Sequence, residues 1–338
     1  MLAAGLAVVA AGAAVSLLPA TVTALFTSRA LEGVGVSLVL PAANAWLGDV
    51  LGPRRNGARL AGTVNASAAA AGTIAAFVVG AVFVDRGAAA GLRAQWPLLL
   101  AAVVVGGAAL RWGRSARDER GPQPTLPALP EGADRRAFWG GTAAAAAGYA
   151  LAAVFLSLGA HIGLELTGSS SAVADAASLT LFPLATASVP WLTVARPERS
   201  SLALGGVAAA AGMLMLLTVG RGGWAAFAIA ALLSGAGFGL LIRAGTALVH
   251  RSSPAHRHAG GLATMSIAMY ATQAGTALAA GLAAQVRGLQ PAVMATAPLV
   301  AALTIATVLA ARVLAAPGHA TALTHRPRPQ PDKEHVDA

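Results

Sequence analysis

The sequence predicts an all-α membrane protein, a bundle of about ten transmembrane helices in two halves related as parallel repeats. Three observations carry that prediction. Of 338 residues, 57% are hydrophobic and only 11% charged, and the mean hydropathy is +0.69, far too apolar for a water-soluble domain. Apolar runs of roughly 18 residues or more recur along the whole chain, each long enough to cross a bilayer as a helix, and the alternating segments of a β-barrel are missing. The chain also matches itself. Shifted by 202 positions, Leu31-Glu32-Gly33-Val34-Gly35 lies over Leu233-Ser234-Gly235-Ala236-Gly237, Arg55 over Arg257, and Leu60-Ala61 over Leu262-Ala263. A repeat of that length in so apolar a chain points to two homologous membrane halves.

In order, the spans are read at roughly 2–18, 21–49, 60–84, 95–113, 138–160, 171–194, 202–219, 223–248, 260–286 and 291–314. The first has no basic segment before it and leads straight into the next, so it is a span and not a signal peptide. The polar, Pro-rich stretch 115–137 joins an N-terminal half (1–114) to a C-terminal half (138–316), and the polar tail 317–338 reads as disordered. If 138–314 is a complete six-helix half, counterparts of its first two spans would lie upstream of Met1. The expectation is therefore ten helices of a twelve-helix plan, with the first two missing.

Orientation follows from arginine. One set of loops and the tail carries 17 Lys and Arg, including Arg54, Arg55, Arg59, Arg135, Arg136, Arg196, Arg199, Arg251 and Arg257; the opposite set carries four, Arg86, Arg93, Arg221 and Arg287. That asymmetry puts both termini and the longest loop in the cytoplasm. The net charge of +10 reflects these flanking loops, and no nucleic-acid partner is expected.

Several residues resemble those of the major facilitator superfamily. Arg29-Ala30-Leu31-Glu32-Gly33-Val34-Gly35 stands where the family's fourth helix carries Arg-x-x-Gln-Gly-x-Gly. Asp49, Pro53, Arg54, Arg55 and Arg59 stand where its next cytoplasmic loop has an acid, a proline and an Arg-rich turn. The segment from Gly87 to Pro97 is similar to the loop written Gly-Trp-Arg-Trp-Pro-Phe. The resemblance runs from Met1 to about Leu314 and implies a major facilitator-type bundle, drug–proton antiporter-like. Three departures stand beside it. The loop motif between the family's second and third helices is absent, and its second-half counterpart, Val194 to Arg199, is degenerate. The fifth-helix antiporter motif survives only as Gly72 to Ala81, with Phe77 in place of its proline.

Arg29 lies roughly 12 Å into its helix at 1.5 Å per residue, where a charge costs about 2.5–3.5 kcal/mol and is functional or paired. Glu32, one turn on, is its partner on that face. The resemblance implies proton coupling through Arg29 and Glu32, and a structural ion pair is the other reading. Arg243 falls over Pro41 in the repeat. It either snorkels to the nearby interface or contacts substrate. Asp175 opens its span near the outer face, as a cavity-facing cation site or as an acid favoured by the helix dipole. His161 and Glu165 sit close to water in the same region. Tyr149, Tyr270 and Gln273 are cavity or substrate candidates near mid-membrane, while Asn44, Asn65 and Thr63 read as interhelical hydrogen-bonding groups. Gly33, Gly35, Gly72, Gly80, Gly235 and Gly237 read as helix-packing and gating positions. Asp49, Arg54, Arg55 and Arg59 form the cytoplasmic loop cluster.

The function these features imply is secondary transport by alternating access, as proton-coupled efflux of a small organic solute by a monomer in the bacterial inner membrane. The membrane assignment rests on the wealth of Ala, Gly and Arg beside a single lysine, Lys333. The alternative is a truncated non-transporting remnant or a partner-dependent membrane protein. An enzyme is not expected. No Walker A lysine is available for ATP hydrolysis, no acidic cluster inside a span offers a metal-diphosphate site, and the chain has no cysteine. No cofactor or metal is expected.

Overall fold

The computed structural model describes residues 2–16, 21–51, 57–84, 101, 103–108, 134–168, 172–253 and 258–314. Among these are nine α-helices: α1 (Leu2–Val15), α2 (Val22–Leu51), α3 (Gly57–Val84), α4 (Arg135–Thr167), α5 (Ala172–Leu192), α6 (Glu198–Met215), α7 (Val219–Ser252), α8 (His258–Arg287) and α9 (Leu289–Leu314). Each matches one expected span. Of the remaining span, 95–113, only residue 101 and the helical segment 103–108 are described. Most of the 115–137 segment, Arg54, Arg55, Arg257 and the tail lie outside the described residues.

Local chemistry sets several of the helix ends. Asp134 caps α4: its Oδ1 accepts from the amides of Arg136 and Ala137 at 3.0 and 3.1 Å. Thr21 caps α2 through the Ala24 amide at 3.1 Å. Pro197, with φ −65° and ψ 155°, precedes α6, and Glu198 then places an acid in the first turn, where the helix dipole favours it. A short 3₁₀ turn, Leu216–Thr218, prolongs α6 towards α7. The path then kinks inside α7 at Gly223, whose φ of 56° and ψ of −142° are open only to glycine. Inside the spans, Ser and Thr hydroxyls return to carbonyls one turn back, as Thr63 does to Arg59 and Thr304 to Val300.

The 202-residue shift carries α1, α2 and α3 onto α6, α7 and α8. The packing repeats as well. Gly35 of α2 lies against α1, where an added Cβ would come within 2.5 Å of Val9 Cγ2 and 2.8 Å of its amide. Its mate Gly237 of α7 lies against α6, 2.5 Å from the Ala209 amide on the same measure. Removing side chains at these two points lets backbones touch, which is how helices associate where no hydrophobic effect drives them together.

The main core lies among α4 to α9. Phe155 stacks on Phe182 and on Phe227 with ring centroids 5.0 and 5.6 Å apart, surrounded by Leu151, Leu202, Met213 and Leu241. The N-terminal helices meet this body along two lines: α3 packs on α5 and α7, and α2 packs on α8. Elsewhere α2 and α3 turn apolar side chains outward, among them Leu25, Phe26, Val34 and Val78. Such faces belong in lipid. Among the described residues, five stretches (Val22–Asn44, Gly57–Phe83, Arg135–Gly163, Glu198–Ser252 and Leu289–Arg312) are long and apolar enough to cross a membrane, the fourth containing both α6 and α7.

Candidate functional site

A cavity of about 470 Å³ opens between α2 and α8, lined by Gly33, Val36, Ser37, Tyr270, Gln273, Ala274 and Ala277. The helical period brings the first three to one face of α2. Two hydroxyls and an amide stand there among apolar walls, and no charged side chain among the described residues is in the lining. Tyr270 is edge-on to Tyr149 at 5.5 Å, and Tyr149 meets Phe238 at the same separation. Phe238 in turn contacts Phe182 at 5.7 Å, so an aromatic chain leads from the cavity wall into the core. Three of the residues expected mid-membrane, Tyr149, Tyr270 and Gln273, are thus brought together. Gly33, expected as a packing glycine, lines the cavity: nothing described lies within 4 Å of an added Cβ.

Arg29 lies one turn from Gly33 on the same face, towards the end of the bundle with few arginines. Its Nη1 donates to Glu32 Oε2 at 2.7 Å, as the i, i+3 spacing requires. Glu32 is the better buried of the two, at 13% exposure against 60%. Ser28 Oγ donates to the other carboxylate oxygen at 3.3 Å, and Ser28 is itself hydrogen-bonded to Ser16 at the end of α1. The carboxylate is therefore oriented from two sides.

A third cluster lies at the arginine-rich end. Arg59, in the first turn of α3, gives Nε to Glu198 Oε1 at 2.9 Å and Nη2 to Oε2 at 3.4 Å. Arg251, at the end of α7, holds Oε2 at 3.2 Å. Farther along α3, Ser67 accepts from Trp191 Nε1 at 2.8 Å and donates to the Ala187 carbonyl of α5 at 2.9 Å. Charge and hydrogen bonds thus join α3 to the C-terminal helices at two levels.

Other expected residues fall elsewhere. Arg243 neither snorkels nor lines the cavity. It is 1% exposed, on the side of α7 that faces α3 and the α5–α6 turn, and its Nη1 donates to the Thr193 carbonyl at 2.9 Å while Nη2 donates to Ser201 Oγ. Acceptors inside the bundle hold it there instead of lipid headgroups outside. Gly235 packs against the Phe182 backbone as a packing glycine should, but Gly72 and Gly80 meet no described neighbour within 4 Å. Glu165 lines a smaller cavity of about 230 Å³ with Leu216, Leu289 and Gln290, and His161 Nδ1 lies 3.2 Å from the Ser157 carbonyl. Asp49 and Asp175 lie on helices, with side chains outside the described residues.

Glu198 is a residue that motif spacing does not single out. Its signal is present, since it is the sole acid between Asp175 and Asp332. Its partner, 139 residues away, is a matter of folding.

Comparison with solved structures decides the architecture. The human organic anion transporter MFSD10 (TETRAN) superposes with a TM-score of 0.66 at 14% identity, over 92% of this chain and 76% of that one. A variant of the E. coli fucose:proton symporter FucP gives 0.58 at 16% identity, over 93% and 83%. The chain shares the fold of these two transporters. Neither a protein-family model nor a curated protein matches the chain. A shared fold at such low identity has a physical basis. Lipid-facing positions need only be apolar, and the close contacts need only small residues, so little sequence is required to keep the architecture. The chain is a multi-pass membrane protein in which the cavity and the Arg59–Glu198 contact both lie where the N-terminal helices meet the C-terminal ones.

Proposed function

We propose that this protein is a secondary transporter that exports a small organic solute from the cytoplasm, coupled to protons, by alternating access. The observation that carries the reading is the cavity between α2 and α8, set where the N-terminal helices meet the C-terminal ones, with the Arg59–Glu198 pair joining the same two groups at the arginine-rich end. A binding site between two repeat-related groups of helices is the arrangement alternating access requires, and in this reading the Arg59–Glu198 pair is the closure at the arginine-rich end. Ser37, Tyr270 and Gln273 supply hydrogen bonds to the solute, and Val36, Ala274 and Ala277 receive its apolar part. In this reading the arginine-rich end faces the cytoplasm, both termini lie there, the two halves divide at the 115–137 linker, and the membrane is the bacterial inner membrane.

Glu32 holds the coupling proton. Ionised, its carboxylate binds Arg29 and Ser28; protonated, it loses the charge that holds Arg29, and the guanidinium is released at the rim of the cavity. The fold-level likeness to a fucose:proton symporter and an organic anion transporter supports coupled movement of a polar organic solute as the class. The test is uptake into everted vesicles with and without a proton gradient, on a panel of labelled organic solutes. Gradient-dependent accumulation that Arg29→Ala uncouples is the expected result. Transport of equal gradient dependence in Arg29→Ala would remove the coupling role, and no transport of any solute would remove the reading itself.

A further inference from the structure

Arg243 takes no part in the cavity, yet it heads the fully buried side chains of the described residues in size. Burying a guanidinium is costly unless its donors are answered, and its Nε is buried without a partner among the described residues. The two bonds it does make are informative. Nη1 reaches the Thr193 carbonyl just past the end of α5, and Nη2 reaches Ser201 Oγ in the first turn of α6. Between those two points lies the turn that delivers Glu198. Ser201 Oγ also donates to the Pro197 carbonyl at 3.2 Å, immediately before Glu198. On its other side, Arg243 supports α3: a Cβ added at Gly62 would come within 2.7 Å of the Arg243 carbonyl oxygen. Gly62 is three residues from Arg59.

We infer that Arg243 is the positioning residue of the gate at the arginine-rich end, fixing both ends of the 193–201 segment so that Glu198 stands ready for Arg59. This rests on the transport reading above, in which that end opens and closes. Arg59 and Arg251 share the Glu198 carboxylate, and they lie on different groups of helices. A loosely held turn would let Glu198 settle on Arg251 alone, which belongs to the same group as Glu198 and gives no closure. Held by Arg243, the carboxylate bridges to α3.

A tie that merely stabilised the C-terminal helices would act whatever stood at position 198, whereas a positioning residue acts only through Glu198. The chain has no cysteine, so Thr63→Cys, at a fully buried position on α3 one turn from Arg59, is a single reporter of opening. The measurement is its alkylation rate by a water-soluble maleimide in lipid nanodiscs. Glu198→Gln should raise the rate, Arg243→Met should raise it by roughly tenfold, within the usual range for coupled sites, and Ser201→Ala should raise it less. In the Glu198→Gln background neither further change should add anything. If Arg243→Met does not fold, Ser201→Ala decides by the same comparison. Rates unchanged in the folded variants, or effects that multiply with Glu198→Gln, would overturn the assignment of Arg243. A rate unchanged by Glu198→Gln itself would overturn the gate.

Discussion

Arg59 and Glu198 form a two-point contact, 2.9 and 3.4 Å, between the first turn of α3 and the first turn of α6. The Arg59 side chain is 23% exposed and that of Glu198 9%, so the pair is largely shielded from water, and removing one partner costs more than it would at a surface bridge. Reversing the charge at one end should be severe. Arg59→Glu should lower transport at least tenfold by setting two carboxylates together, and adding Glu198→Arg should recover part of the rate. Initial transport rates of the single and double variants, analysed as a cycle, check this.

Ser67 and Trp191 make the second tie between α3 and α5. Trp191→Phe keeps an aromatic ring and deletes the donor to Ser67 Oγ. Hydrogen bonds of this kind within a membrane average about 0.6 kcal/mol, so the expected effect is a small shift in the gate equilibrium with wild-type folding. Maleimide labelling at position 63 should rise about two- to threefold, far less than with Glu198→Gln.

The glycines divide into two sets with opposite outcomes. Gly35→Ala and Gly237→Ala each drive a methyl into the backbone of the neighbouring helix, and overpacking of this kind costs about 1–3 kcal/mol. The costs should be similar, because the two positions are related by the repeat. At Gly72 and Gly80 an added Cβ meets nothing described within 4 Å, so alanine should be neutral or stabilising by up to about 1 kcal/mol. Thermal unfolding in detergent separates the sets.

Gly33 offers a third outcome. An added Cβ there meets nothing described within 4 Å and stands in the cavity lining, so Gly33→Leu should leave the melting temperature near wild type and abolish solute binding. Tyr270→Phe, which removes one hydroxyl from the wall and keeps the ring against Tyr149, should weaken binding about 5- to 10-fold, the order of one lost hydrogen bond. Titration calorimetry with a transported solute distinguishes these results from loss of fold.

Residues that act through periodicity and repetition are legible in the sequence alone. The spans, the 202-residue repeat, the Arg29–Glu32 pair and the packing role of Gly35 and Gly237 all follow from local spacing, because bilayer thickness and helix pitch act on contiguous residues. Tyr149, Tyr270 and Gln273 stand out as polar groups in apolar helices. That Tyr270 and Gln273 share one wall, with Gly33 and Ser37 opposite, depends on how α2 and α8 face each other. Arg243 shows the limit most clearly. Sequence places a cation five residues from a helix end, where lipid invites snorkelling, and only the tertiary structure supplies Thr193 and Ser201 as inward acceptors. Glu198 is as visible in the sequence as Arg59, but 139 residues separate them. The chain by itself determined which segments enter the membrane, since that is a property of each segment's own transfer into lipid. Which charges join the N-terminal helices to the C-terminal ones was decided by helix packing, since an ion pair depends on distance in space and not on distance along the chain.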